Sequence, residues 1–254
     1  MSIITLTTDL GHNDFYVAKL KSSVLKHLPS SQFLDINHNI RSHDIQFAAY
    51  CLMNVWKDLP KGSIHIVSVY NHYATSNEYI VFERDGHFFI GPNNGVFTLI
   101  FQDLSEAETH SINGGFDTFF ETYAHAAALV GTGAPISDIG PKVASLKQKI
   151  NIIPVYTQTE IRATIIHVDI FGNVILNIEK SFFKEIQKNR SFEIYFKYSD
   201  PITAIHESYS QVPIGEVVAL FNMNNFLELG INMGNASELL GLFENGTIQI
   251  HFKN

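Results

Sequence analysis

The sequence predicts an α/β fold with two domains: an N-terminal α/β domain with a largely parallel sheet, and a smaller C-terminal antiparallel β-barrel domain. Short apolar strand patterns alternate with helical patterns up to about residue 140, and this alternation is typical of a sheet with parallel pairs. A polar stretch at 141–149 with three lysines suits a connector, and strand-like runs dominate after it. We therefore place the domains at residues 1–143 and 152–254.

Composition restricts the class of protein. The chain has 254 residues, of which 45% are hydrophobic and 17% charged, which is enough apolar material for a buried core. The net charge of −8 is spread along the chain, so we expect no nucleic-acid or membrane partner, since both favour a basic face. The one cysteine, Cys51, lies in an apolar run and is expected in the core.

The first domain begins with strand, helix and strand patterns. Residues 3–7 and 33–36 are predicted strands, and residues 14–26 a helix with an apolar stripe that includes Leu20 and Val24. A second helix is expected from Ser42 and Asp44 to Trp56.

The rest of this domain follows the same pattern. Residues 64–69 form a near-continuous apolar run, as expected for a strand covered on both faces. Residues 79–83 and 87–90 pair as a hairpin across a turn that contains Gly86. Residues 91–95 read as turns ahead of an apolar helix, and residues 121–130 as an Ala-rich helix.

The second domain is predicted to contain mainly strands. They are separated by Gly and Asn, which is typical of a small antiparallel sheet or barrel. The expected strands are residues 161–168, 174–178, 192–195, 216–220, 226–229 and 247–252.

Polar residues follow three strands of the first domain, at Asp9, at Asn37 and His38, and at Asn71 and His72. Ligands of α/β sheets bind beyond the carboxyl ends of the strands, so these side chains are expected at one edge. Asp9 is not an obvious helix cap, and a carboxylate there is able to grip a vicinal diol through charge-assisted hydrogen bonds.

Two alternatives concern the other acids and histidines of this region. Asp14 and Asp44 stand at predicted helix starts, where capping of free N–H groups is the better single explanation. Carboxylates and imidazoles are also metal ligands, but their spacing matches no compact metal motif, and we expect no metal. The residues concerned are Asp9, Asp14, Asp35, His38, His43 and Asp44.

A separate group of polar residues lies between the first two long predicted strands of the second domain. Asp169, Phe171, Gly172 and Asn173 fall within five residues between apolar runs. A carboxylate, an aromatic ring and a carboxamide suit a ligand with a cationic end and a flat heterocycle. The same residues are also ordinary hairpin chemistry, and both interpretations stay open at this point.

Six segments form a characteristic series along the chain. They are 7–21 (TTDLGHNDFYVAKLK), 35–44 (DINHNIRSHD), 62–67 (GSIHIV), 91–95 (GPNNG), 169–173 (DIFGN) with Asn177, and 221–229 (FNMNNFLEL) with Asn232. Taken in order, these segments resemble the S-adenosylmethionine hydroxide adenosyltransferase family, whose relatives include the S-adenosylmethionine-dependent fluorinases and chlorinases. The similarity spans nearly the whole chain.

The resemblance implies a function and a set of ligand contacts. Asp9 would hold the ribose diol and Asp169 the ammonium of the methionine moiety, while Phe171 and Asn173 would contact adenine. Asn224 lies where the family contacts the methionine carboxylate. The resemblance also implies a homotrimer with the pocket between subunits, no cofactor besides S-adenosylmethionine as substrate, and attack at ribose C5′ with methionine as leaving group.

The sequence departs from the family where the hydrolases handle water. Tyr70 stands at the position of an Asp, Asn77 at that of an Arg, and Thr118 at that of a His. An Asp–Arg–His set orients water and stabilises developing charge, so Tyr70, Asn77 and Thr118 are the candidate catalytic residues, with His72 close by. Tyr73 and Phe119 fall near the halide pocket of the halogenating relatives and would crowd it.

We therefore expect an S-adenosylmethionine-cleaving enzyme that gives adenosine and methionine. A protein that binds the adenosyl group without turnover, and a halide-dependent adenosyl transferase, are the alternatives. No apolar run approaches the roughly 20 residues of a membrane span, and no signal peptide pattern is present, so a cytoplasmic protein is expected.

Overall fold

The computed structural model describes residues 2–72, 78–101, 103–104, 107–150, 152–196 and 200–253. The chain divides into two compact units, residues 1–151 and 152–254. Among the described residues, no helix is both long enough and apolar enough to span a bilayer.

The described residues of the first unit form a six-stranded mixed sheet and four α-helices. The elements are β1 (Ile3–Thr8), α1 (Tyr16–Leu25), β2 (Gln32–Asn37), α2 (Ile45–Met53), β3 (Ile64–Ser68), β4 (Tyr79–Arg84), β5 (His87–Pro92), α3 (Val96–Ile100), β6 (Thr109–Ser111) and α4 (Phe119–Gly131). The strands lie in the order β2-β1-β3-β5-β4-β6, in which β2, β1, β3 and β5 are parallel and β4 runs antiparallel to both of its neighbours, β5 and β6.

Helices cover both faces of this sheet, which explains why β1 and β3 carry almost no exposed residue. Leu20 and Val24 of α1 and Tyr123 of α4 pack on one face. Ala48 and Leu52 of α2 pack on the other, together with an aromatic cluster around Phe89. The carboxyl ends of β1, β2 and β3 consequently meet at one edge, as in other parallel sheets.

The second unit is built on an antiparallel sheet in the order β10-β13-β8-β9-β12-β11, with β7 paired to β8. Within the described part of the chain, isolated bridges extend the sheet beyond both ends of this path, from Ile194 of β10 to Ile202 and from Leu220 of β11 to His206. The expected β-barrel is therefore confirmed only as a curled half-barrel. The elements are β7 (Val155–Tyr156), β8 (Glu160–Val168), β9 (Val174–Glu179), α5 (Lys180–Gln187), β10 (Phe192–Tyr195), β11 (Val217–Phe221), β12 (Phe226–Ile231), α6 (Ala236–Leu240) and β13 (Thr247–Phe252).

Two predicted features of the first unit differ from the structure. The helix expected to reach Trp56 ends at Met53, because a separate 3₁₀ turn, Trp56–Asp58, directs the indole of Trp56 against Phe89 and Phe101. The stretch 141–149 is held against the first unit by backbone and side-chain hydrogen bonds; for example, the Lys147 N–H donates to Asn93 Oδ1 at 2.9 Å.

Helix α5 was not expected from the sequence. Five of its eight residues are polar, and its three apolar residues, Phe182, Phe183 and Ile186, lie at helical spacing, a short amphipathic pattern that we did not recognise as a helix. Phe183 packs edge-on against Phe192 and Phe221, and this contact holds the apolar side of the helix on the core.

Candidate functional site

Asp9 lies one residue beyond β1, and one of its carboxylate oxygens is held by two backbone amides. Oδ2 accepts hydrogen bonds from the N–H of Tyr70 at 3.1 Å and of His43 at 3.4 Å. Among the described residues no donor reaches Oδ1, and the side chain is half-buried. The arrangement fixes the carboxylate and leaves one oxygen to accept from a ligand hydroxyl.

The two residues that donate to Asp9 have left-handed backbones. The φ angle is 53° at Tyr70 and 69° at His43, which is uncommon for residues with bulky side chains. Their rings meet edge-on, with centroids 4.6 Å apart. Strained conformations of this kind cluster at binding and catalytic sites, so His43, which the sequence places after the second strand without a role in ligand binding, belongs with the candidate site.

Asn94, from the turn segment 91–95, fixes the backbone of Tyr70. Its amide nitrogen donates to the carbonyls of Val69 at 2.9 Å and Tyr70 at 3.3 Å. Its Oδ1 accepts from the Val96 N–H at 3.1 Å, at the start of α3. Segment 91–95, predicted as turns ahead of a helix, therefore also holds the loop that follows β3 through the hydrogen bonds of Asn94.

A chain of side chains runs behind the Asp9 turn. Thr8 Oγ1 lies 2.8 Å from His38 Nδ1, and His38 Nε2 lies 3.1 Å from Asp35 Oδ1. Lys21 donates to the other oxygen of Asp35 at 2.6 Å. Burial lowers the pKa of His38, and Asp35 opposes this effect. Burial acts to raise the pKa of Asp35, but the hydrogen bond from Lys21 and the neighbouring His38 outweigh it and lower that pKa.

The capping interpretation holds for one of the two acids at helix starts. Asp44 caps α2 by accepting from the Phe47 N–H at 2.9 Å. The prediction was wrong for Asp14, because α1 begins at Tyr16 with Phe15 as its cap, and Asp14 stands one residue too early. In the described part of the chain no three His, Cys, Asp or Glu side chains are grouped to hold a metal ion.

The three candidate catalytic residues have different surroundings. Tyr70 adjoins Asp9, as described, and Asn77 lies outside the described residues. Thr118 is the N-cap of α4: its hydroxyl accepts from the Glu121 N–H at 3.3 Å and donates to Glu121 Oε2 at 3.2 Å. His72 is exposed, with its ring 6.1 Å from that of Phe119, the residue after Thr118.

Asn71 is a buried polar residue of this loop that we expected only as part of a polar strand end. Its amide donates to Ser68 Oγ at 3.0 Å and its Oδ1 accepts from the Tyr123 hydroxyl, while Tyr79 donates to its carbonyl at 3.3 Å. The sequence signal is a tyrosine inside the Ala-rich helix α4, which requires a polar partner when buried.

In the second unit, Asp169 organises the turn between β8 and β9. Its Oδ1 accepts from the backbone N–H of Phe171 at 2.9 Å and of Asn173 at 2.8 Å, and its Oδ2 accepts from Asn173 Nδ2 at 2.9 Å. Gly172 has φ 82°, and a Cβ there would lie 2.1 Å from Asn235 Oδ1. The ordinary turn chemistry is therefore present, and it brings Asp169 and Asn173 together.

The predicted adenine contacts differ in exposure. The Phe171 side chain is 75% exposed and offers an open aromatic face, whereas the Asn173 side chain is buried beside Gly230 and Tyr209. Asn224, the predicted carboxylate contact, is half-buried, and its backbone N–H donates to Asn222 Oδ1 at 3.0 Å.

A buried acid near Asp169 was missed by the sequence reasoning. Glu228 on β12 is only 4% exposed and accepts a hydrogen bond from the Tyr209 hydroxyl. Burial raises the pKa of Glu228, and the charge of Asp169 raises it further, while Tyr209 and Asn222 oppose the shift. Burial and the neighbouring Glu228 also raise the pKa of Tyr209. The sequence signal that points to Glu228 is its place as the single acid inside the apolar run 226–231.

Curated relatives match the chain along most of its length. It is 28% identical to the (R)-S-adenosyl-L-methionine hydrolase of Methanocaldococcus jannaschii, over 95% of this chain and 93% of that protein. A hydrolase of the same name from Thermus thermophilus is 24% identical over 98% of this chain and 100% of that protein. A fluorinase from an Actinoplanes species is 22% identical over 54% of this chain and 57% of that protein.

Solved structures and family models agree with this similarity. The crystal structure of an uncharacterized conserved protein from Thermotoga maritima superposes with a TM-score of 0.86 at 25% identity, covering 98% of this chain and 99% of that chain. The model of the SAM hydroxide adenosyltransferase N-terminal domain matches residues 4–140, and that of the C-terminal domain matches residues 163–249. The chain therefore belongs to the SAM hydroxide adenosyltransferase family.

Proposed function

We propose that this protein binds S-adenosyl-L-methionine and cleaves it with water to adenosine and methionine. The observation that carries the proposal is the extent of the similarity. Four (R)-S-adenosyl-L-methionine hydrolases align with 94–98% of this chain, whereas three fluorinases align with only 54–56% of it. The geometry of Asp9 supports the same conclusion, since its fixed carboxylate suits a ribose diol.

The proposed reaction is a displacement at ribose C5′. The oxygen of water forms a bond to C5′ while the C5′–S bond breaks, and the electron pair of that bond goes to sulfur. The sulfonium becomes the neutral thioether of methionine, and the water proton passes to a base or to solvent. Asp9 would hold the diol through Oδ1, and Asp169 would hold the methionine ammonium, so that both ends of the substrate are fixed about the reacting carbon.

Tyr70 and His72 are the residues that we propose for handling water. Tyr70 adjoins Asp9, and His72 is exposed and two residues further along the same loop. The hydroxyl of Thr118 is already engaged with Glu121 in the cap of α4, which favours a structural role for that residue. Asn77 stays a candidate on the basis of the family pattern alone.

The second candidate function is binding of an adenosyl ligand without turnover. The observation that favours it is the replacement of the family's Asp, Arg and His by Tyr70, Asn77 and Thr118. Removal of a whole water-orienting set leaves the binding residues in place but takes away the groups that lower the barrier.

We also propose a homotrimer, with pockets to which two subunits contribute, on the basis of the family resemblance. Sedimentation velocity of the purified chain tests this, since a monomer of 28.6 kDa and its trimer sediment at clearly different rates. A strictly monomeric protein would refute the proposed assembly.

Product analysis separates these functions. The purified protein is incubated with S-adenosyl-L-methionine, with and without chloride, and the products are resolved by chromatography. Adenosine with an equal amount of methionine supports hydrolysis, and a chlorinated nucleoside supports halide transfer. Saturable binding without products supports the second candidate, and the lack of any binding at millimolar ligand rejects all of them.

A further inference from the structure

We propose that His38 is a positioning residue which, together with Asp35 and Thr8, sets the Asp9 turn in its ligand-binding conformation. The inference rests on the proposed function, because the affinity for an adenosyl ligand is its main readout. It goes beyond that function by assigning a role to three side chains that are not among the proposed ligand contacts.

The surroundings of His38 favour one order of hydrogen bonds. His38 Nε2 lies 3.1 Å from Asp35 Oδ1 without hydrogen-bond geometry, and the negative charge of that carboxylate, which only accepts, favours the ring proton on Nε2. His38 Nδ1 is then an acceptor, and the Thr8 hydroxyl donates to it at 2.8 Å. The oxygen of Thr8 remains able to accept, and the Leu10 N–H donates to it at 3.3 Å.

The same histidine holds the turn a second time through its backbone. The Gly11 N–H donates to the His38 carbonyl at 2.8 Å. The residues before and after Asp9 are therefore tied to one buried histidine, by its ring through Thr8 and by its carbonyl through Gly11. Fixed neighbours on both sides determine where the Asp9 carboxylate lies, and small misplacements at a binding site are costly.

The chain contains a matched control for this interaction. Thr5, also on β1, lies with its hydroxyl 2.8 Å from Nδ1 of a buried histidine, His65. Both threonines are fully buried. The Thr5 pair lies three residues from the Thr8 pair, away from the carboxyl end of β1, so the chemistry is the same while the neighbouring turn is different.

The test compares Thr8→Val, Thr8→Ser and Thr5→Val by calorimetric titration with adenosine, and by thermal unfolding of each variant. Valine keeps the shape of threonine but removes the hydroxyl, and serine restores it. We expect Thr8→Val to weaken adenosine binding roughly tenfold or more, as is typical of residues that orient a contacting group. Thr8→Ser should recover most of the affinity, and Thr5→Val should lower the melting temperature with no change in affinity.

Two outcomes would overturn the proposal. One is wild-type affinity in Thr8→Val. The other is an equal loss of affinity in Thr5→Val and Thr8→Val, which would show that both threonines act only by stabilising the fold. Nitrogen NMR of the His38 ring adds a readout that is independent of ligand. The Nε2–H tautomer is expected, and the Nδ1–H tautomer contradicts the proposed series of contacts from Asp35 through His38 to Thr8, here called the relay.

Failure of the proposed function is distinguishable from failure of the relay. If the wild-type protein binds neither adenosine nor S-adenosyl-L-methionine, the proposed function is wrong. The relay is then judged on the tautomer and on amide hydrogen exchange, which should be faster at Leu10 and Gly11 in Thr8→Val than in Thr5→Val. Equal exchange at these amides in the two variants would refute it.

Discussion

The backbone N–H of Tyr70 donates to the carboxylate of Asp9, with 3.1 Å between nitrogen and Oδ2. This bond does not depend on the side chain at position 70. An exchange of the family's aspartate for tyrosine therefore leaves the support of Asp9 intact while changing the chemistry offered to water. Tyr70 thus takes part in both proposed functions of the site: its backbone N–H supports the diol-binding Asp9, and its side chain is the group proposed to handle water.

Asp9→Asn should weaken adenosine binding by about 10- to 100-fold, because a hydrogen bond to a charged group contributes roughly 1.5–3 kcal/mol. Asparagine still has one oxygen to accept from Tyr70, so the turn should persist. Titration with adenosine and 2′-deoxyadenosine checks this. The wild-type protein should prefer adenosine, and the variant should bind both nucleosides alike. An unchanged preference in Asp9→Asn would place the diol elsewhere.

Asp169→Asn should weaken binding of S-adenosyl-L-methionine but leave binding of adenosine nearly unchanged. The lost charge removes the proposed ammonium contact, and adenosine has no ammonium. Oδ1 of the variant still accepts from the N–H groups of Phe171 and Asn173, and the side-chain bond is kept when the Asn173 carboxamide turns over to accept from the new amide. Parallel titrations of the two ligands give the comparison, with Asp9→Asn as the control that should weaken both. A similar loss for both ligands in Asp169→Asn would mean that Asp169 acts only through its hydrogen bonds to Phe171 and Asn173.

Tyr70→Phe should lower kcat by at least about tenfold with little change in adenosine affinity, since a positioned acid or base contributes roughly 10²–10⁴ to a rate. Steady-state release of methionine measures it. Tyr156→Phe, at an exposed tyrosine of the second unit, is the control and should keep full activity. Undiminished turnover in Tyr70→Phe would show that the Tyr70 hydroxyl does not handle water, and would leave His72 as the candidate for that role.

Gly172→Ala should destabilise the protein more than Gly215→Ala. Both glycines have positive φ, 82° and 87°, so the backbone strain is comparable. A Cβ at Gly172 would lie 2.1 Å from Asn235 Oδ1, whereas at Gly215 it would meet nothing within 4 Å. Urea unfolding of the two variants measures the difference, and equal stabilities would show that Asn235 moves aside freely.

Stability should fall as the pH drops below about 6.5, the usual pKa of histidine in an unfolded chain. Burial, with a smaller effect of the neighbouring His87, lowers the pKa of His65 to about 3 in the folded protein. A group with a lowered folded pKa takes up protons more readily when unfolded, so acid favours unfolding until the pH reaches the folded value. The cost is roughly 1.4 kcal/mol per pH unit for this group, or about 2 kcal/mol at pH 5.

Urea unfolding at pH 7 and pH 5 checks this dependence, with His65→Gln as the comparison. Glutamine does not titrate, so the variant should lose less stability between the two values than the wild-type protein does. An equal loss in both proteins would assign the acid sensitivity to other groups, of which His87 is the first to test, since burial lowers its pKa too.

The strands of this protein were predictable because their apolar pattern carries the information. β3 lies in a near-continuous apolar run, interrupted by His65, and is buried on both faces. Helix α5 escaped prediction because its periodic apolar residues, Phe182, Phe183 and Ile186, span little more than one turn, which is a short signal between two strands. The end of α2 was not predicted, because the helix ends where Trp56 turns to pack on Phe89 and Phe101, and these residues are far from Trp56 in the sequence.

The site was predictable in part for the same reason. Asp9 stands out as an acid at the end of an apolar strand, and the fold brings Tyr70 to it. The partnership of Tyr209 with Glu228 joins residues 19 apart, and that of Asn71 with Tyr123 joins residues 52 apart. No local pattern links such pairs, so only the folded chain reveals them.

The most direct test of the central claim follows the oxygen of water. The protein is incubated with S-adenosyl-L-methionine in ¹⁸O-labelled water, and the nucleoside product is analysed by mass spectrometry. Attack of water at C5′ predicts adenosine that carries one ¹⁸O on its 5′ carbon, together with unlabelled methionine. Adenosine without the label, or intact S-adenosyl-L-methionine after prolonged incubation, would contradict the account.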